Sequence, residues 1–177
     1  MSGITGTAGQ ESLALRAPTA SDSLLLARLR DPAVAGPFNQ FDDPSDQRLS
    51  TARVGPERVI VILEDGTPIG AMSWFGVPYG PNLLSLAWKI GITLLPEYRG
   101  RGHGSMAQRI VAHHLFAHTE SNRVEADTDV ENIVEQRALE RAGFIQEGIL
   151  RCAQYRQGHW HDLVMYATLR SDPMKPA

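Results

Sequence analysis

The stretch that most constrains this chain runs over residues 90–116, IGITLLPEYRGRGHGSMAQRIVAHHLF. Its opening, Ile90-Gly91-Ile92-Thr93-Leu94-Leu95, is apolar and β-branched, the composition of a buried strand. Pro96 ends it, because proline cannot donate to a strand ladder. Arg99-Gly100-Arg101-Gly102-His103-Gly104-Ser105 then leads into a helical pattern with Met106, Ile110, Val111 and Leu115 towards one face. Strand, glycine-rich loop and helix N-terminus together have the geometry of an anion site, with a flexible, solvated turn as the competing reading. Glycines let backbone N–H groups approach a ligand closely, and the first helical turn presents unpaired donors with a partial positive charge. Arg99 and Arg101 add charge suited to a phosphate or pyrophosphate.

The kind of phosphate ligand is narrowed by spacing. A nucleotide P-loop needs a lysine after its last glycine, and this loop has none. Gly102-x-Gly104-x-x-Ala107 matches the dinucleotide fingerprint, and Glu125 follows at roughly the right distance. However, the loop lies deep in the chain, Pro-Glu-Tyr-Arg separates it from its strand, and too little follows for a doubly wound sheet.

Arg99-x-x-Gly102-x-Gly104 resembles the signature of the GCN5-related N-acetyltransferases (GNAT), whose loop holds the pyrophosphate of acetyl-CoA. Asp129-x-x-Asn132 followed by Leu139-Glu140-Arg141-Ala142-Gly143-Phe144 resembles a segment of the RimJ/RimL-type subgroup, which acetylates ribosomal-protein N-termini. Glu147-Gly148-x-Leu150-Arg151 and Tyr155-Arg156-x-Gly158-x-Trp160-x-Asp162 are similar to that subgroup's closing hairpin. The resemblance implies an α/β fold with a GNAT-type mixed, largely antiparallel central sheet of about seven strands, flanked by helices. It also implies acetyl-CoA as donor, residues 99–105 around its pyrophosphate, and Asn132 on its pantetheine arm. Arg137 is a candidate for its 3′-phosphate, or a surface charge. A homodimer is compatible with the family.

Composition sets bounds on the rest. At 177 residues and 42% hydrophobic content, the chain can bury one domain, expected over residues 11–170 between a disordered arm at 1–10 and a C-terminal tail at 171–177. The formal net charge of −3 argues against nucleic acid or an anionic membrane as a partner. Cys152 is the only cysteine, which rules out an intrachain disulfide and a cysteine-rich zinc site. No signal-peptide core or membrane-length apolar run is present, so a soluble, cytoplasmic protein is expected.

Taken in order, the pattern gives a strand at 13–16 and a helix capped by Thr19 or Ser21. A Pro- and Gly-rich loop spans 31–47 and carries Asp42, Asp43 and Asp46. These aspartates are either a solvated loop or an acidic lip that attracts a cationic amine, with Phe38 and Phe41 flanking them. A hairpin follows at 58–75 around Asp65-Gly66, then a strand at 83–92. After the central helix come a strand at 123–128, a helix at 130–142 closed by Gly143, and a hairpin around Gln157-Gly158.

Acetyl transfer from a thioester to an amine sets four demands on these residues. The carbonyl must be held and its developing negative charge stabilised, for which backbone N–H groups of Ile92, Thr93 and Leu94 are candidates. The amine must be neutral, which favours an α-amine with pKa about 7.7–8 over a lysine at about 10.4. A carboxylate can collect its proton; Glu125 and Asp127 alternate on one strand face, with surface charge as the competing reading. The departing thiolate, with pKa near 8.5, gains from a proton donor. Relatives place Tyr or Ser on the helix after the matched Asn, whereas this chain has no Tyr there and carries Glu135 one turn after Asn132. Glu135 is therefore either that donor or the partner of Arg137 or Arg141. Two rival functions stand beside transfer to a peptide or small-molecule amine: a non-catalytic acyl-CoA-binding domain and a nicotinamide-dependent reductase. His114 and His118 share a helix face but lack a third ligand, so no metal is expected. Trp160 is expected to point into the core, opposite His159 and His161.

Overall fold

Residues 4–8, 11–40 and 54–173 are described by the computed structural model. Strands β1 (Ile4–Ala8) and β2 (Glu11–Arg16) precede helices α1 (Ser23–Arg28) and α2 (Pro32–Ala35). Then come β3 (Val54–Leu63), β4 (Pro68–Pro78), β5 (Leu86–Leu94), α3 (His103–His118), β6 (Arg123–Asp129), α4 (Ile133–Ala142), β7 (Ile145–Arg156) and β8 (His159–Leu169). The strands form one eight-stranded sheet in the order β1-β2-β3-β4-β5-β6-β8-β7. Every neighbouring pair is antiparallel except β5 with β6. A doubly wound parallel sheet, and with it the dinucleotide reading, is excluded by that pattern. The expected arm at 1–10 is corrected over Ile4–Ala8, which pairs antiparallel with β2 and adds a strand to the expected sheet.

Local signals account for most element ends. Thr19 and Asp22 form a capping box at a 3-10 turn, Ala20–Asp22, that leads into α1. The hairpin between β3 and β4 turns at Gly66, whose φ of 84° is a conformation that glycine adopts without strain. Gly143, at φ 100°, closes α4. The helix expected at 130–142 begins only at Ile133, because Asn132 turns its side chain onto Glu135 N–H as an N-cap. The strand expected from residue 83 begins at Leu86, since Asn82 caps a 3-10 turn over Leu83–Ser85.

Core formation follows the alternation of the strands. Met72, Trp74 and Ile90 point to one face, where Met106, Ile110, Val111 and Leu115 of α3 cover them. Burying each such side chain stabilises the fold by about 1.5–3 kcal/mol. Arg170, just past β8, donates to the carbonyl of Phe116 in the last turn of α3 and to those of Thr119 and Ser121 beyond it, tying the helix end to the sheet. The other face, carrying Ser73, Lys89, Gly91 and Asp127, lines a cleft with Leu26 of α1 and Ala35 of α2. Trp160 departs from expectation: it is 60% exposed and stacks edge-on against Tyr155, ring centroids 5.3 Å apart. It sits near the tip of the β7–β8 hairpin, with β7 at the edge of the sheet.

Candidate active site

The single parallel pair is also where the sheet opens. β5 and β6 are paired only at Trp88↔Val124 and Lys89↔Glu125. Beyond that point β5 stays on β4 as far as Leu94, and β6 stays on β8 as far as Asp129. A wedge-shaped gap between the two strands is the result. Leu95 N–H donates to Ile69 C=O on β4, whereas Leu94 C=O accepts from Arg99 on the opposite side. Backbone alternation therefore turns Ile92 and Leu94 into the gap and Thr93 towards β4. Of the three amides singled out in the sequence, those of Ile92 and Leu94 face the gap and that of Thr93 does not.

The gap is the floor of a cleft of about 800 Å³. Its walls include residues 91–94, Gly100, Gly102, Gly104, Ser105, Gln108, Asp127, Asn132, Glu135 and Arg141. Gly102 is the N-cap of α3 at φ 89° and Gly100 has φ 73°, so both turns need glycine. The first intrahelical bond of α3 runs from Met106 N–H to Gly102 C=O, leaving the amides ahead of it without an intrahelical acceptor. Ser105 Oγ donates back to Gly102 C=O at 2.9 Å and tightens the turn.

The basic side chains behave differently from expectation. Arg99 spans the loop, donating through Nε to Leu94 C=O at 2.9 Å and through Nη2 to Val34 C=O. Burial lowers its pKa. It thus joins the glycine loop to β5 and α2. Arg101 lies outside the cleft wall, its guanidinium 6.0 Å from the Tyr98 ring centroid. The His103 ring is buried with Nδ1 3.1 Å from Tyr98 C=O, and the residue does not line the cleft. Arg137 is exposed and absent from the wall, where Arg141 stands instead. Both arginines are spaced to reach a ligand, and only the packing of α4 fixes which of them borders the cleft.

The carboxylates separate by environment. Glu125 has no exposed surface; it accepts from Tyr79 OH at 2.8 Å and Arg123 Nε at 3.0 Å, with Lys89 Nζ at 3.5 Å. As a proton acceptor for an incoming amine it is corrected: it is fully buried, and it does not line the cleft. Asp127 does line the cleft, bonded to Lys89 Nζ at 2.6 Å. Asp129 is buried and accepts from Arg156 Nη2 and Glu131 N–H, with His161 Nδ1 at 3.0 Å. Arg156, only 2% exposed, also donates to Pro37 C=O and stands 5.8 Å from the Phe38 ring centroid. Two motifs that read as separate in the sequence, around Asp129 and Arg156, are thus one buried ion pair that ties the loop at 37–38 to the end of β6. Asn132 donates from Nδ2 to Thr128 Oγ1 at 3.0 Å as well as capping α4. Phe41, Asp42 and Asp43 lie outside the described residues.

Glu135 takes neither of its expected arginine partners. It lines the cleft and accepts from Gln108 Nε2. Burial pushes its pKa up to about 7, against the weaker pull of that hydrogen bond. Gln108 was missed in the sequence because a glutamine on the apolar face of a helix gives no signal of its partner. It is 1% exposed, and its Oε1 has no hydrogen-bond partner. Exchanging the two ends of that amide offers Oε1 to a protonated Glu135, so the pair can accommodate either state.

A helix start with unpaired amides, an open strand edge and a buried carboxyl group thus share one cleft. Residues 12–145 match the family model described as "Acetyltransferase (GNAT) domain", and the chain belongs to that family. It is 34% identical over 113 residues to the probable N-acetyltransferase YjcK of Bacillus subtilis (strain 168), a match covering 64% of this chain and 61% of that protein. It is 31% identical over 111 residues to the putative ribosomal N-acetyltransferase YdaF of the same organism, covering 63% and 58% respectively. The match thus spans about six tenths of each curated relative. A solved structure of RimL, a ribosomal L7/L12 α-N-protein acetyltransferase in complex with coenzyme A, is similar with TM-score 0.72 and 20% identity, over 95% of this chain and 98% of that one. No helix among the described residues is long and apolar enough to cross a membrane.

Proposed function

We propose that the chain is an acetyl-CoA-dependent N-acetyltransferase acting on a primary amine by direct attack in a ternary complex. The observation that carries the reading is the opening of β5 from β6 into the same cleft as the first turn of α3 and Asn132. The chain's residues suit such a donor: unpaired amides and flexible glycines for a pyrophosphate, a free strand edge for an amide-bearing arm. The side chains of Arg101 and His103, which do not line the cleft, leave that role to the backbone, whereas Arg99 lines it and adds its charge. Acetyl-CoA, when bound, supplies a thioester whose acetyl carbon accepts a neutral amine, giving an amide and the CoA thiol.

Amides of Ile92 and Leu94 face the gap and stabilise negative charge on the carbonyl oxygen without reorganising. Asp127, on the side facing α1 and α2, holds Lys89 and is placed to receive the amine's proton directly or through water. Glu135 lies on the α4 side with a pKa near 7, so a substantial fraction carries a proton at neutral pH. That proton is available to the departing thiolate. The acceptor is an α-amine of a peptide or a small-molecule amine, the former supported by the ribosomal relatives.

The test is thiol release from acetyl-CoA with two amine panels, peptides with free N-termini and small amines, alongside thermal stabilisation by acetyl-CoA. Turnover with either panel supports transfer. Stabilisation without turnover points to a binding domain, and no stabilisation overturns the assignment of the cofactor.

A further inference from the structure

The face beneath α1 and α2 carries charge that the transfer chemistry leaves unused. Arg58 on β3 lies across from Ser73, which lies across from Gly91, so Arg58 shares the face of Lys89 and Asp127. Arg30, just past α1, lines the same cleft. Both arginines are exposed, and neither guanidinium has an ion-pair partner among the described residues. The acids of this face are already matched. Asp127 is held by Lys89, Glu125 by Arg123 and Lys89, and Asp129 by Arg156. Among the described residues, the acceptor side therefore has two cations to offer an incoming molecule and no unpaired anion.

Resting on the transfer reading above, we infer that the acceptor is an amine with an anionic group close by, such as a peptide N-terminus followed by acidic side chains, and not a polyamine. Two effects act together. Arg30 and Arg58 attract a carboxylate on the acceptor and repel additional ammonium groups. Positive charge near the bound amine also disfavours its protonated form, which leaves more of it as the neutral nucleophile.

The experiment compares kcat/KM for four acceptors: a peptide beginning Ser-Asp-Glu, its Ser-Asn-Gln counterpart, free aspartate and spermidine. Expected is a preference for the acidic peptide that shrinks with added salt, as exposed charge attraction does. Arg30→Gln and Arg58→Gln should each lower the acidic-to-neutral ratio by about fivefold, chiefly through KM, and Arg30→Lys and Arg58→Lys should retain most of it. Turnover of free aspartate near the peptide's rate identifies a small anionic amine as the source of the same chemistry and supports the inference. Equal rates for acidic and neutral peptides, or a preference for spermidine, overturn it while leaving acetyl transfer standing. Silence with every amine, despite stabilisation by acetyl-CoA, overturns the transfer reading and this inference with it.

Discussion

Replacing Glu135 by glutamine isolates the energetics of the buried carboxyl. Glutamine keeps the shape of the protonated side chain but cannot ionise, so the substitution removes one titration. Burial lifts the Glu135 pKa from its ordinary value near 4.5 to about 7. A tenfold change in proton affinity is worth about 1.4 kcal/mol, and water entering the cleft reduces the effect, so the ionised form destabilises the fold by about 2–3 kcal/mol. The sign follows from proton uptake. Below pH 4.5 folded and unfolded chains both hold the proton. Between 4.5 and 7 the folded chain keeps it and the unfolded chain releases it, so stability falls as pH rises through this window and levels off above it. Urea unfolding of the parent and Glu135→Gln at pH 5 and pH 8 reads this directly. The variant should gain about 2 kcal/mol on the parent between the two pH values. Parallel pH profiles would refute the argument that desolvation raises this pKa. In the transfer reaction, the parent's kcat should lose a proton-dependent limb above about pH 7 that Glu135→Gln lacks.

Other perturbations probe the frame. A Cβ on Gly70 would lie 2.5 Å from both Thr93 C=O and the Leu94 side chain, so Gly70→Ala should lower stability by about 1–3 kcal/mol in urea and weaken acetyl-CoA binding. Gly102→Ala forces a side chain into φ 89°; a loss of about 1 kcal/mol and weaker binding of acetyl-CoA by calorimetry are expected, and unchanged affinity would contradict the anion site. Asp129→Asn and Arg156→Met should each cost about 3–5 kcal/mol, whereas the double variant should fall well short of the sum, as a double-mutant cycle would report. The Arg16 guanidinium beside Asp22 holds that carboxyl well below the usual carboxylate range. Its contribution is present above about pH 4 and is lost as pH falls, so Asp22→Asn should remove about 2 kcal/mol at pH 7 and flatten the acid limb of the stability curve.

What could be read directly from the sequence rests on interactions between near neighbours. The glycine turn into α3, the hairpin turns at Gly66 and Gly158, the C-cap at Gly143 and the apolar face of α3 are all fixed by residues a few positions apart. Local signals of that kind need no knowledge of the rest of the chain. Even the family resemblance rode on short motifs. Where expectation failed, a distant partner decided the outcome. Ile4–Ala8 carries few apolar residues and becomes a strand because β2 offers an edge. Glu125 alternates correctly with Asp127, but Tyr79, Arg123 and Lys89 enclose it. Trp160 has the hydrophobicity of a core residue and sits near a hairpin tip where no core reaches it.

By itself, then, the sequence determined a strand, glycine loop and helix start, a mixed sheet and the positions of the turns, because hydrophobic period and backbone dihedral preference are properties of short segments. Only the tertiary structure decided where the sheet parts and which amides of β5 face the gap. The same is true of the meeting of Gln108 with Glu135, 27 positions away, and of Asp129 with Arg156 at the same separation. Those outcomes depend on loop closure and on burial, and burial sets both the dielectric around a charge and the partners it can reach.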